Sequence, residues 1–93
     1  MNGFAYGGGN ELAMACTTRI CKKGLSVLVC QPEVNLGFIP GAGGTQRLPR
    51  IIGIEKAAEI LRTARNVSAK EAAEIGLVYK EEEGDLVDEA IKL

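Results

Sequence analysis

Two glutamates and two glycine clusters are the residues here whose types and spacing suit chemistry. Glu11 follows three consecutive glycines, Gly7, Gly8 and Gly9, and opens an apolar run, Leu12-Ala13-Met14-Ala15-Cys16. Without a Cβ, glycine lets the backbone turn tightly and bring N–H groups against a bulky partner. A helix starting at this point leaves those N–H groups unpaired and carries about half a positive charge, which stabilises negative charge on an oxygen. Glu33 lies between a strand end and the second cluster, Pro40-Gly41-Ala42-Gly43-Gly44. Histidine is absent, so the commonest general base and metal ligand is missing, and acid–base work falls to carboxylates or water.

Plainer explanations exist for each feature. A triple glycine or a Gly41 to Gly44 stretch is, on composition alone, a loop. Glu11 by itself is a favourable first-turn charge. Nucleotide binding fails on spacing: the third glycine of G-x-G-x-x-G is missing, and no Lys-Ser/Thr follows Gly8.

Composition narrows the classes further. A chain of 93 residues makes one thin-cored domain at most. Its net charge of −1 gives no field to gather nucleic acid or anionic lipid. Cys16, Cys21 and Cys30 are odd in number and lack a C-x-x-C pair, so no disulfide framework or zinc site is expected, and a reducing compartment fits. No apolar run reaches the length of a membrane span, and no signal sequence stands at the start. A cytoplasmic protein is expected. Met1-Asn2-Gly3-Phe4 opens directly into structured-looking sequence, which suggests a chain that starts within a fold.

The elements that must position these groups follow from periodicity. Residues 9 to 17 are apolar nearly all round and predict a short buried helix. Thr17 to Cys21 and Leu25 to Val29 read as strands around a Lys22-Lys23-Gly24 turn, and so as a hairpin. Gln31 to Gly37 reads as extended or irregular chain, with Pro32 ending the strand before it. Thr45 to Leu48 makes a helical turn or two, interrupted by Pro49 and closed by Gly53. Ile54 to Arg62 is an amphipathic helix. Ser68-Ala69-Lys70-Glu71 is a capping box, with Val67 and Ala72 placed as a hydrophobic staple, so a helix runs from Ala69 to a stop at Gly76. Leu77 to Lys80 reads as a strand, Glu81 to Glu83 as a solvated charge run, and Asp85 as the N-cap of a last helix through Lys92.

Four segments together resemble the enoyl-CoA hydratase, or crotonase, family. They are Asn2-Gly3-Phe4-Ala5-Tyr6-Gly7-Gly8-Gly9-Asn10-Glu11-Leu12-Ala13-Met14, then Gln31-Pro32-Glu33-Val34-Asn35-Leu36-Gly37, then Ile39-Pro40-Gly41-Ala42-Gly43-Gly44-Thr45-Gln46-Arg47-Leu48, and Ser68-Ala69-Lys70-Glu71-Ala72 with Ile75-Gly76-Leu77-Val78. They stand in the family's order. The segment from Cys16 to Leu25 follows the pattern poorly, an Asp being usual at Thr17, and Cys30 stands where the family usually has glycine.

The resemblance implies an α/β fold, a partial ββα spiral of short strands and helices, with residues 1–93 as an incomplete domain lacking the family's N-terminal half and C-terminal helices. It implies a thioester carbonyl held by two backbone N–H groups, of which Gly8 matches the second, the first lying in the N-terminal half. Glu11 and Glu33 match the two carboxylates that handle the water and the α-carbon proton, and Gly41 matches a backbone N–H near that water. The implied reaction is syn addition of water to a 2-enoyl-CoA thioester, with no cofactor because coenzyme A is part of the substrate. Enolate-like charge on the thioester oxygen is what such donors stabilise, and two carboxylates near one water can divide acid and base roles. An enoyl-CoA isomerase working with Glu33 alone is the near alternative. A non-catalytic or split-gene fragment is the alternative from another class. The expected partners are an acyl-CoA thioester and either further copies of the chain or a complementing N-terminal chain, with no nucleic acid and no membrane.

Overall fold

A computed structural model describes residues 1–93. The chain runs β1 (Ala5–Tyr6), α1 (Gly8–Met14), β2 (Ile20–Lys22), β3 (Val29–Cys30), a 3-10 helix (Pro32–Leu36), α2 (Gly44–Ile52), α3 (Ile54–Thr63), α4 (Ala69–Glu74), β4 (Lys80–Glu82) and α5 (Leu86–Ile91). It is a mixed α/β arrangement of short elements around one apolar cluster. Leu28, Val29, Leu48, Ile60, Val67 and Leu77 are its fully buried centre.

The strands pair in parallel, not as the expected hairpin. β1 lies on β3, with Ala5 opposite Val29 and Tyr6 opposite Cys30, and β2 lies on β4, with Ile20 opposite Lys80 and Lys22 opposite Glu82. The backbone around β3 is already engaged elsewhere. Ala5 N–H donates to Leu28 O at 2.7 Å, and Leu28 and Val29 N–H both donate to Val67 O. Leu28 and Val29 are thus taken up by β1 and Val67, and β2 pairs with β4.

The strand expected at Leu77 to Lys80 instead begins at Lys80. Leu77 and Val78 N–H turn back to the Ala72 carbonyl at 2.8 and 3.2 Å, so these residues close α4 and bury their side chains. The Glu81 to Glu83 run is correspondingly only part solvated. Glu81 and Glu82 lie in β4, where Glu81 Oε1 accepts from Gly24 N and Lys23 N–H reaches Glu82 O.

Three further expectations change in detail. Gln31 to Gly37 is ordered, because Pro32 at the first turn starts the 3-10 helix. Pro49 does not interrupt α2: Leu48 is buried, Ile51 and Ile52 pack on the core, and the helix continues to Ile52 and ends at Gly53. The first helix is shorter than residues 9 to 17, and its buried face is Asn10, Glu11 and Met14, while Leu12 points outward at 73% exposure. The polar side chains turn inward because each finds a buried partner there. The capping signals hold on the Ser68 and Asp85 side, while the Glu71 carboxylate, expected to reach back in a capping box, accepts from Arg65 instead. Ser68 Oγ accepts from Glu71 N at 3.1 Å with Val67 and Ala72 buried beside it, and Asp85 Oδ1 accepts from Val87 and Asp88 N–H at the start of α5.

Candidate active site

Glu11 enters the site from the first turn of α1 and is 2% exposed. Its Oε2 accepts two backbone hydrogen bonds, from Ala42 N at 2.6 Å and Gly44 N at 2.9 Å. The loop can wrap one oxygen in this way because Gly43 has φ 99° and Gly44 lies tight against Pro40 and the Glu11 carboxylate. Arg47 closes the loop from outside. Its Nη1 donates to Ala42 O at 3.2 Å, and a Cβ on Gly43 would collide with its guanidinium.

Glu33 lies in the first turn of the 3-10 helix and is 5% exposed. Gln31 Nε2 donates to its Oε1 at 3.1 Å, and Gln31 Oε1 accepts from Asn10 Nδ2 at 2.8 Å. On its other side the carboxylate meets Gly7, whose added Cβ would stand 2.8 Å from Oε2. Cys30 Sγ donates to Ala64 O at 3.2 Å close by, and burial, then the charge of Glu33, pushes its thiol pKa up.

Gly7 and Gly8 lie between the two glutamates in the chain of contacts. Gly7 N–H donates to Cys30 O at 2.8 Å and its carbonyl accepts from Glu11 N–H. Gly8, the first residue of α1, has no helical carbonyl four residues back, so its N–H is free to donate outward. It is exposed, and nothing lies within 4 Å of where a Cβ would be. Gly41 sits exposed at the lip of the loop, and it is its neighbours Ala42 and Gly44 whose N–H groups hold Glu11.

Four site features had no individual signal in the sequence: the N–H groups of Ala42 and Gly44, and the side chains of Asn10 and Gln31. The glycine density from 41 to 44 announced a backbone site without saying which amides serve it. Nowhere do three His, Cys, Asp or Glu side chains come together to hold a metal ion. None of the four cavities is lined by either glutamate. The largest, about 610 Å³, lies between Met1, Arg19 and the Val87 and Ile91 side of α5.

The arrangement is that of the crotonase fold, carried here in part. Solved structures superpose on it closely: an enoyl-CoA hydratase from Bacillus anthracis is 46% identical with a TM-score of 0.88, covering 97% of this chain and 34% of that one. An enoyl-CoA hydratase/isomerase from Cupriavidus metallidurans, 25% identical, still superposes with a TM-score of 0.83 over 97% of this chain and 33% of its own. Residues 1–93 match the family described as enoyl-CoA hydratase/isomerase, and the chain belongs to that family. Among curated relatives, the alpha subunit of the fatty acid oxidation complex of Shewanella amazonensis is 46% identical over all 93 residues, which span 12% of its length. No helix is long and apolar enough to cross a membrane.

Proposed function

We propose that this chain carries the acid–base half of an enoyl-CoA hydratase site. The observation that carries the reading is the pair of buried glutamates, each fixed by its own donors, Glu33 against Gly7 and Glu11 against the Ala42-Gly43-Gly44 loop. In the proposed reaction a water oxygen bonds to the β-carbon of a 2-enoyl-CoA and gives up a proton to one carboxylate. The other glutamate, which must start as the protonated carboxyl, gives its proton to the α-carbon, where the double bond's electron pair, carried meanwhile onto the thioester oxygen, returns to form the C–H bond. Gly8 N–H stabilises the negative charge that builds on the thioester oxygen, and Gly41 lines the water's side. The acyl-CoA thioester is the substrate and its coenzyme A the only cofactor-like group needed. Three free thiols fit a reducing compartment, and the cytoplasm is our reading of where the protein works.

The fixing of Glu11 by two amides favours hydratase over isomerase chemistry, because isomerisation with Glu33 alone leaves that device without a use. Glu33→Gln and Glu11→Gln, compared in a full-length reconstruction by crotonyl-CoA hydration, test both points. Glu33→Gln is expected to lose nearly all activity, and Glu11→Gln to lose hydration while sparing double-bond isomerisation. Wild-type hydration by Glu33→Gln refutes the site. Wild-type hydration by Glu11→Gln refutes the hydratase assignment.

A further inference from the structure

Glu33 is held differently from Glu11: its only side-chain hydrogen bond comes from Gln31, and Gln31 is held in turn by Asn10. Chemistry fixes the direction of this chain. A carboxylate oxygen accepts, so Gln31 turns its Nε2 to Glu33, which points its Oε1 at α1, where a donor is required. Asn10 Nδ2 is that donor. The arrangement leaves Asn10 Oδ1 buried with no partner, in a residue only 1% exposed. An unsatisfied buried acceptor is costly, and a helix recruited for packing alone would turn Leu12 inward instead.

We infer that Asn10 is a positioning residue, which locks the Gln31 amide and thereby fixes the face that the Glu33 carboxylate turns to the acyl group. The last step rests on the hydratase reading; the locking of the amide does not. One consequence concerns alignment. Gly8 N–H and Glu11 belong to α1, and Asn10 ties Glu33 to the same helix, so one rigid element registers all three groups.

The first test needs no turnover. In the 15N-labelled 93-residue chain, the side-chain amide protons of Asn10 and Gln31 exchange with solvent at least about tenfold more slowly than those of exposed Asn35 and Gln46. Asn10→Asp keeps the shape but can only accept. It forces the Gln31 amide to turn round, and the Gln31 Nε2 signals move, as they also do in Glu33→Gln. Asn10 or Gln31 exchanging as fast as Asn35, or Gln31 signals unmoved by Asn10→Asp, overturns the inference. Should Asn10→Asp not fold, exchange in the wild type decides alone.

The second test separates positioning from packing. Asn10→Leu trades one orphaned acceptor for another, so the melting temperature changes little. In enzyme completed with a complementing N-terminal chain, kcat falls about 10- to 100-fold with KM nearly constant. An unchanged kcat in that variant overturns the inference. Absence of hydration in the completed wild type counts against the hydratase reading instead, and leaves the exchange experiment to decide.

Discussion

A Cβ on Gly7 would stand 2.8 Å from Glu33 Oε2, at a φ of 53° that residues bearing side chains adopt only with strain. Gly7→Ala is therefore expected to destabilise by about 1–2 kcal/mol through the backbone alone, and to push the carboxylate off its position. Hydration by the completed enzyme falls at least about tenfold as a result. Gly3→Ala is the control, since nothing lies within 4 Å of its added methyl and its φ is not positive. Urea midpoints and crotonyl-CoA turnover measured on both check this, and equal behaviour of the two variants contradicts it. At this scale the resemblance marks Glu11, Glu33 and Gly8 by position, and the structure buries both glutamates and starts α1 at Gly8. Their partners were not legible. Asn10 meets Gln31, and Glu11 meets Ala42 and Gly44, only after the chain has folded, and an asparagine beside a helix start looks the same whether it is solvated or buried.

Between α3 and α4 the guanidinium of Arg65 bridges Glu59 and Glu71, donating from Nη2 to one oxygen of each at 2.9 and 2.7 Å. Hydrogen bonds from Arg65 hold both carboxyl groups below their ordinary value of 4.5. Groups whose folded pKa is depressed add stability above the unfolded value and lose it as pH falls through the folded one. Arg65→Ala should thus cost about 1 kcal/mol at pH 7, where partly exposed pairs are screened, and progressively less as pH falls below 4.5 toward pH 3. Urea unfolding at both pH values measures it, with the slope of the transition unchanged between proteins; an equal loss at pH 7 and pH 3 excludes the ion-pair explanation. The helices were the legible elements, because a cap such as Ser68 with Glu71 acts within one turn. Strand pairing was not, because β1 finds β3 and β2 finds β4 across long separations that no local pattern records. The β-branched run before Lys22 carried the signal for a strand but none for its partner.

The whole molecule leaves much apolar surface uncovered: Phe4, Leu12, Ile39, Ile54 and Ile91 are each more than 70% exposed, and both sheets have only two strands. Two-stranded ladders with free edges and exposed apolar side chains favour association. Light scattering on a sizing column should therefore give a mass above 9.8 kDa, and a monomer across a wide concentration range contradicts this. The same incompleteness bears on catalysis. The chain spans about a third of the solved relatives it matches, no cavity in it is lined by the glutamates, and Gly8 is exposed. On the proposed reading Gly8 N–H is one oxyanion donor where the family's pattern implies two, and the loss of one lowers rate by about 10²–10³. The resemblance implies that coenzyme A is held mostly by the family's N-terminal half, and on that reading the binding energy that would position the acyl group is lost as well. Exposure of Gly8 to water also weakens the electrostatic contact its N–H would make. These losses multiply if independent, so the 93-residue chain alone should hydrate crotonyl-CoA far more slowly than a complete family enzyme. The loss of enoyl thioester absorbance, followed with the chain alone and again after addition of an N-terminal crotonase segment, measures it. Turnover rising only on mixing supports a site completed by a second polypeptide; family-like turnover by the chain alone refutes the prediction.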